Sequence, residues 1–317
     1  MEITRVEIVD WLKKLQNSIC EQLEAEDGGG KFTNEIWERA EGGGGVTRIL
    51  ANGEVIEKGG VLFSAVSGKA PDFLFTQAQH STGVQLNNKE NLQFFATGVS
   101  IVIHPHSPMV PIIHMNIRYF ELLEVVDGKE NIVTNWLGGG IDLTPHYINE
   151  EDARFFHSQL KAVCDLHHLS YYTKFKQWAD DYFFIKHRNE TRGIGGIFFD
   201  RLQGNAEMPF NQQINFWKDV GEIFAPIYTK LMHRNKFIAY NEKNKQWQLL
   251  RRGRYVEFNL VYDKGTQFGL QTNGRVESIL MSLPKFASWE YNFIPEKNSI
   301  EEQTLQKLVK GHNWLVD

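Results

Sequence analysis

The chain reads as an α+β fold: one domain with a large, mainly antiparallel sheet flanked by helices. Three observations predict it. Strand-like runs follow one another and are joined by hairpin signals, Asn52-Gly53 and Asp127-Gly128, which make neighbouring strands antiparallel. The run of hairpin-joined strands is followed by blocks of amphipathic helices, the order of an α+β protein. No internal repeat and no linker rich in Pro or Ser interrupts residues 1–317, so a single domain is the simpler organisation.

The elements follow in order. From Thr4 to about Ala25, Val9, Leu12, Leu15, Ile19 and Leu23 fall three or four apart, the period of an amphipathic helix. Gly28-Gly29-Gly30 ends it, so residues 1–30 form an N-terminal helix and a glycine-rich connector. VTRILANGEVIEKGGVLFSAVSG reads as a hairpin, and VSIVIHP, HMNIRYFELLEVV and NIVTNWLG as three further strands. Helices are expected from Asn149 to about Leu169, from Tyr171 to about His187, and from Pro209 to about Asn235. GGIFFDRL is a strand, RYVEFNLVYD and RVESILMSLP read as two more, and Ile300 to Gly311 closes the chain as a helix.

Composition excludes several classes of function. Apolar residues make up 42% and charged residues 23%, ordinary for a globular protein. A net charge of −5 gives no sign of nucleic acid as a bulk partner, so an anionic ligand requires a local arginine cluster. Cys20 and Cys164 lie far apart without CxxC spacing, which argues for a reducing compartment and against a disulfide or zinc framework. No apolar run approaches transmembrane length. Glu2, Glu7 and Asp10 stand where a signal or transit peptide avoids acids, so a cytoplasmic protein is expected. The glycine runs at 42–45, 138–140 and 193–196 lack the Lys-Ser/Thr or GxGxxG context of a phosphate loop.

The stretch from Gly98 to Thr144 carries the chemistry. His104, His106, His114, Arg118 and Asp142 lie in or beside apolar strands, where ionisable groups are costly unless paired or used. Strand alternation puts His114, Asn116 and Arg118 on one face. Two readings of Arg118 are open: a structural ion pair with an Asp or Glu, or a planar fork for a ligand carboxylate. Arg275, after Gln271, Asn273 and Gly274, is either a solvated turn arginine or part of a second carboxylate grip made with the backbone N–H groups of the turn. Asp142 follows three glycines and precedes Thr144-Pro145. It reads as a cap of the following turn or as a carboxylate held against a ligand.

HPHSPMVPIIHMNIRYFE, WLGGGIDLTP, DYFFIKHRNETRGIGGIFFD and RRGRYVEFNLVYDKGTQFGLQTNGRVESILMSLP together resemble the oxygen-dependent coproporphyrinogen III oxidases, from about Trp37 to Tyr291. The resemblance implies oxidative decarboxylation of two propionates of a tetrapyrrole to vinyl groups in haem synthesis. Molecular oxygen is the co-substrate, CO2 and H2O2 leave, and no organic cofactor takes part. It assigns Ser100, Asn116, Ile117, Arg118, Asn273, Gly274 and Arg275 to substrate binding. It favours Asp142 as the carboxylate addressing the pyrrole N–H groups, with His114 as the proton-transfer group. Relatives imply a divalent metal cation at His104, His114, His157 and His187, of which His157 and His187 sit on predicted helices. The resemblance also implies a homodimer through about residues 255–290, where Val256, Phe258, Leu260 and Tyr262 would share one strand face. Two rivals stand beside this reading: a non-haem metal oxygenase using two histidines and a carboxylate, and a tetrapyrrole carrier without catalysis.

Overall fold

A computed structural model describes residues 3–71, 89–271 and 274–316. The architecture follows from one seven-stranded antiparallel sheet. Its strands are β1 (Thr33–Glu38), β2 (Gly43–Ala51), β3 (Ile56–Lys69), β4 (Leu92–Pro105), β5 (Ile112–Val126), β6 (Lys129–Thr144) and, further along the chain, β9 (Gly196–Leu202). They lie in the order β1-β2-β3-β4-β5-β6-β9. A small separate ladder joins β7 (Phe184–Ile185) to β8 (Glu190–Thr191). Both predicted turns form: Asn52 (φ 57°), Asp127 (φ 51°) and Gly128 (φ 75°) take the left-handed conformation that such turns need. The β2–β3 connection is longer than a two-residue loop because it is tied to the N-terminal helix. Asp27 accepts hydrogen bonds from the backbone N–H groups of Glu54, Val55 and Ile56.

One face of the sheet carries the core. Ile101, Ile113, Met115, Ile117, Ile141 and Phe199 point into it and are buried against helices. These are α1 (Arg5–Asp27), α2 (Glu150–His167), α3 (Tyr171–Tyr182) and α4 (Phe210–Asn235). In α1 the capping box of Thr4 and Glu7 starts the helix and Gly28 (φ 87°) ends it, as the glycine run predicts. Helix α3 runs past the edge strand: Phe175 meets Phe199 on the core face, while Trp178 and Tyr182 meet Phe198 on the other.

The opposite face is covered in part by the C-terminal third of the chain, and here the sequence reading needs correction. Residues 254–263 and 275–284 are predicted as strands. They lie instead in α5 (Glu242–Val261), α7 (Val276–Leu280) and the turns that follow each, with α6 (Lys264–Gln271) between the two helices. The alternation of Val256, Phe258, Leu260 and Tyr262 mimics a strand face. Extended upstream, the buried positions include Trp247, Gln248, Leu250, Arg251, Arg252, Tyr255, Phe258 and Asn259, spaced three and four apart as on one helix face. Leu260 is accordingly exposed while Phe258 is fully buried. Helix α3 also stops at Tyr182, five residues earlier than predicted, and His187 falls in the turn of the β7–β8 ladder. Helix α8 (Ile300–Lys307) closes the fold.

Candidate active site

Three rows of residues cross β4, β5 and β6 on the face away from the core. The register pairs Val102 with His114 and His114 with Asp142; Ser100 with Asn116 and Asn116 with Gly140; Gly98 with Arg118 and Arg118 with Gly138. Strand alternation sends the intervening side chains into the core, so Ile117 is fully buried on the far side and offers this face only its backbone. Ser100, Asn116 and Arg118 are half-buried; Asn116 has a glycine, Gly140, on one side of its row and Arg118 has glycines, Gly98 and Gly138, on both. The result is a flat floor with few side chains standing on it.

The ionisable groups at one end of the floor form a connected chain. His114 Nδ1 lies 2.7 Å from Asp142 Oδ1, and Arg192 Nη2 donates to Asp142 Oδ2 at 2.6 Å. The other Arg192 amino group donates to Asn259 Oδ1 at 2.8 Å, and the guanidinium carbon sits 4.4, 4.5 and 4.6 Å from the ring centres of Phe183, Tyr255 and Phe258. Asp142 and Arg192 are buried; the His114 side chain keeps 20% of its surface exposed. Burial works to raise the Asp142 pKa, but Arg192 and His114 outweigh it and hold the carboxyl below its ordinary value. Burial likewise opposes the charge on Arg192, and Asp142 outweighs it, so that pKa is raised. The buried pair is therefore ionised on both sides.

This arrangement sets aside the cap reading of Asp142 and defines what surrounds its carboxylate. It stands inside β6 as the partner of His114, not before a turn, so it caps nothing. Both its oxygens are held by protein groups, so the group presented outward is the imidazole of His114, with Nε2 directed away from the carboxylate. Arg192 was not predicted. Its signal lies in TRGIGG, an arginine directly before a glycine run, the counterpart of the aspartate after GGG. Gly196 lets that segment lie close, since a Cβ there would meet the Ile141 carbonyl at 1.9 Å.

At the other end of the floor, Arg118 Nη2 donates to Asp200 Oδ1 at 2.8 Å and Nη1 to Asn116 Oδ1 at 3.3 Å. The guanidinium lies across Gly138, where a Cβ would come within 2.9 Å of both Arg118 Nε and Asp200 Oδ1. The structural ion pair is thus realised, beside a side chain that still faces the floor. Arg275 begins α7 and reaches the same face: it pairs with Glu35 and lies 3.4 Å from Thr47 Oγ1. Thr47 belongs to the row of Asn116, through Leu62 and Ser100. Three strand spacings separate them, roughly 14 Å. The Gly274 N–H is used within the turn, donating to Gly269 O at 2.8 Å, so it is not free to grip a carboxylate. Asn273 lies outside the described residues.

The four histidines expected to share a metal are not brought together. His104 is buried beneath Tyr255 with Nε2 2.8 Å from Ser282 O. His157 lies in the helical layer on the core side, its two nitrogens each 3.0 Å from Tyr172 OH and Ile194 O. His187 is held at 2.7 Å by both Tyr262 OH and Glu257 Oε2. Among the described residues no group of three or more His, Cys, Asp or Glu is placed to hold an ion. These four histidines do not fit a divalent metal, and no two-histidine-one-carboxylate set of an oxygenase stands among the described residues. Burial pushes His104 and His157 down to about 3, so both are neutral core histidines.

Among the described residues no helix is long and apolar enough to cross a membrane. The sequence matches the family described as coproporphyrinogen III oxidase over residues 7–314. It is 49% identical over 314 residues to the oxygen-dependent coproporphyrinogen-III oxidase of Drosophila melanogaster, covering 98% of this chain and 78% of that one. The chloroplastic oxygen-dependent coproporphyrinogen-III oxidase of Glycine max is 45% identical over 305 residues, covering 96% and 78%. Coproporphyrinogen-III oxidase 1 of Arabidopsis thaliana, also chloroplastic, is 44% identical over 304 residues with the same coverage. With the match running through every strand of the sheet and through both ends of the floor, the chain belongs to the coproporphyrinogen III oxidase family.

Proposed function

We propose that this chain catalyses the oxygen-dependent oxidation of coproporphyrinogen III in haem biosynthesis, turning two propionates into vinyl groups and giving protoporphyrinogen IX. For each propionate the C–C bond to the carboxylate breaks, CO2 leaves, and a C=C bond forms with loss of one hydrogen. The two electrons reduce O2 to H2O2. The balance consumes one proton per decarboxylation, so the site must deliver a proton as well as orient the carboxylate.

The observation that carries the reading is the His114–Asp142–Arg192 chain at one end of a floor whose other end bears Asn116 and Arg118. Arg192 keeps Asp142 ionised, Asp142 fixes the His114 ring, and His114 Nε2 exchanges the proton with substrate or reduced oxygen. A buried carboxylate stabilises the imidazolium at the moment it forms. Ser100, Asn116, Arg118 and Arg275 receive propionates, and the glycine-lined strands let the macrocycle lie flat. Assigning roles by His114→Gln and Asp142→Asn turnover measurements tests this reading. A His114→Gln variant with the wild-type rate removes the proton-transfer role.

We further propose a homodimer through the 255–290 region. The strand face that suggested it does not exist; support comes instead from Leu260, Phe286 and Trp289, which the monomer leaves exposed. The two cysteines are free and buried, which supports a reducing compartment such as the cytoplasm.

A further inference from the structure

Both arginines assigned to substrate carboxylates already hold a carboxylate of the protein. Arg118 pairs with Asp200 and Arg275 with Glu35. Asp200 lies on β9 and Glu35 on β1, the two opposite edges of the sheet. Each is partly exposed, 30% for the Asp200 side chain and 58% for Glu35, so either can turn to water when its arginine is taken. Each pair is monodentate, with one guanidinium nitrogen on one carboxylate oxygen. The second amino group makes only a long contact, Arg118 with Asn116 at 3.3 Å and Arg275 with Thr47 at 3.4 Å, so much of the fork can still be given to a ligand. Half-exposed pairs of this kind are weak and readily exchanged.

We propose that Asp200 and Glu35 are internal stand-ins for the substrate's propionates, exchanged for them on binding and restored after reaction. This rests on the assignment of Arg118 and Arg275 to substrate carboxylates. Exchange replaces like with like: the arginine never loses its counter-charge, and the displaced carboxylate is rehydrated at the sheet edge. The reaction itself then breaks the grip. A propionate that has lost CO2 is a neutral vinyl group, and its arginine would face an apolar ligand unpaired, which is costly in a half-buried site. Return of the stand-in restores the pair and loosens the ligand, allowing the macrocycle to turn or leave. Asp200 and Glu35 act through the arginines and are positioning residues. Their signature is that they compete with the ligand.

The test is equilibrium binding, followed by fluorescence, of coproporphyrin III, the aromatic tetra-acid relative of the substrate. The chains compared are wild type, Asp200→Asn, Glu35→Gln and the double variant, with KM for coproporphyrinogen III measured in parallel. Both substitutions keep shape and remove only charge. The expected result is a Kd lowered roughly two- to fivefold by each, the range an exposed ion pair is worth, with the two effects multiplying in the double variant and KM following. Arg118→Ala and Arg275→Ala, measured alongside, should raise Kd. An unchanged or raised Kd in the Asn and Gln variants, with the arginine variants weakened, overturns the stand-in role and leaves a plain structural pair. If the arginine variants bind like wild type, the carboxylate assignment itself fails.

Discussion

His114 and Asp142 are direct partners across β5 and β6, and their side chains meet at 2.7 Å on the face away from the core. The carboxylate that holds the histidine is in turn held by Arg192, 2.6 Å from its second oxygen. A buried cation, a buried anion and a partly exposed imidazole thus stand in line, and of the three only the imidazole keeps appreciable exposed surface.

Asp142→Asn removes the charge and nearly keeps the shape. Turnover should fall far more than KM rises, the pattern of an interaction made in the transition state. The same variant leaves Arg192 buried without its counter-ion, so unfolding free energy should drop by about 3–5 kcal/mol. Steady-state kinetics and denaturant unfolding check both; a stable variant with the wild-type rate would leave Asp142 no role.

Arg118→Ala should keep the fold and weaken the substrate. Each charge-assisted hydrogen bond lost is worth about 1.5–3 kcal/mol, which places the rise in KM at tenfold or more. Asp200, left without its partner, is partly exposed and hydrates, so the thermal midpoint should barely move. A collapse in stability with normal KM would make Arg118 structural.

The buried histidines predict how stability depends on acid. His104 and His157 are fully buried, with pKa values lowered from 6.5 to about 3 in the fold. The unfolded chain therefore binds more protons below pH 6.5. Their contribution is fully present above 6.5 and is lost as pH falls toward 3, at up to about 1.4 kcal/mol per pH unit for each group. Glu257, lowered to about 2, adds to the loss below 4.5. His157→Gln should shift the onset of acid unfolding less steeply than wild type; an identical pH profile would show that His157 titrates normally.

Because His104, His114, His157 and His187 each have their own protein partners, exhaustive dialysis against a strong chelator should leave both turnover and thermal midpoint unchanged. Activity abolished by the chelator and restored by a divalent ion would show that these residues rearrange to bind one.

The parts of this fold legible in the sequence are those where the local period and the final environment agree. Hairpins at Asn52-Gly53 and Asp127-Gly128, the amphipathic stripe of α1 and the one-face placement of His114, Asn116 and Arg118 all follow from spacing alone. Helix α5 is illegible because its apolar residues near Phe258 alternate, while its buried stripe mixes Trp247, Leu250 and Tyr255 with the polar Gln248, Arg251, Arg252 and Asn259. Arg192 was missed for a related reason. Its partners Asp142 and Asn259 lie 50 and 67 residues away in sequence, and no local pattern encodes that contact. The metal set is implied by the resemblance alone, and the four histidines are not gathered among the described residues, because histidines that fall in recognisable motifs need not converge in space.

Sedimentation at micromolar concentration should show a species of about twice the 36.7 kDa chain mass. A fully active monomer would refute the interface and leave Phe286 and Trp289 as merely exposed.

The central claim is that this chain performs the oxidation and does not only hold the macrocycle. Purified protein incubated with coproporphyrinogen III under air, with oxygen uptake followed and products separated, tests it most directly. The account predicts two O2 consumed per macrocycle and a product with two vinyl groups, both lost in His114→Gln and Asp142→Asn. Tight binding of an unchanged substrate with no oxygen uptake would contradict it and make the protein a carrier.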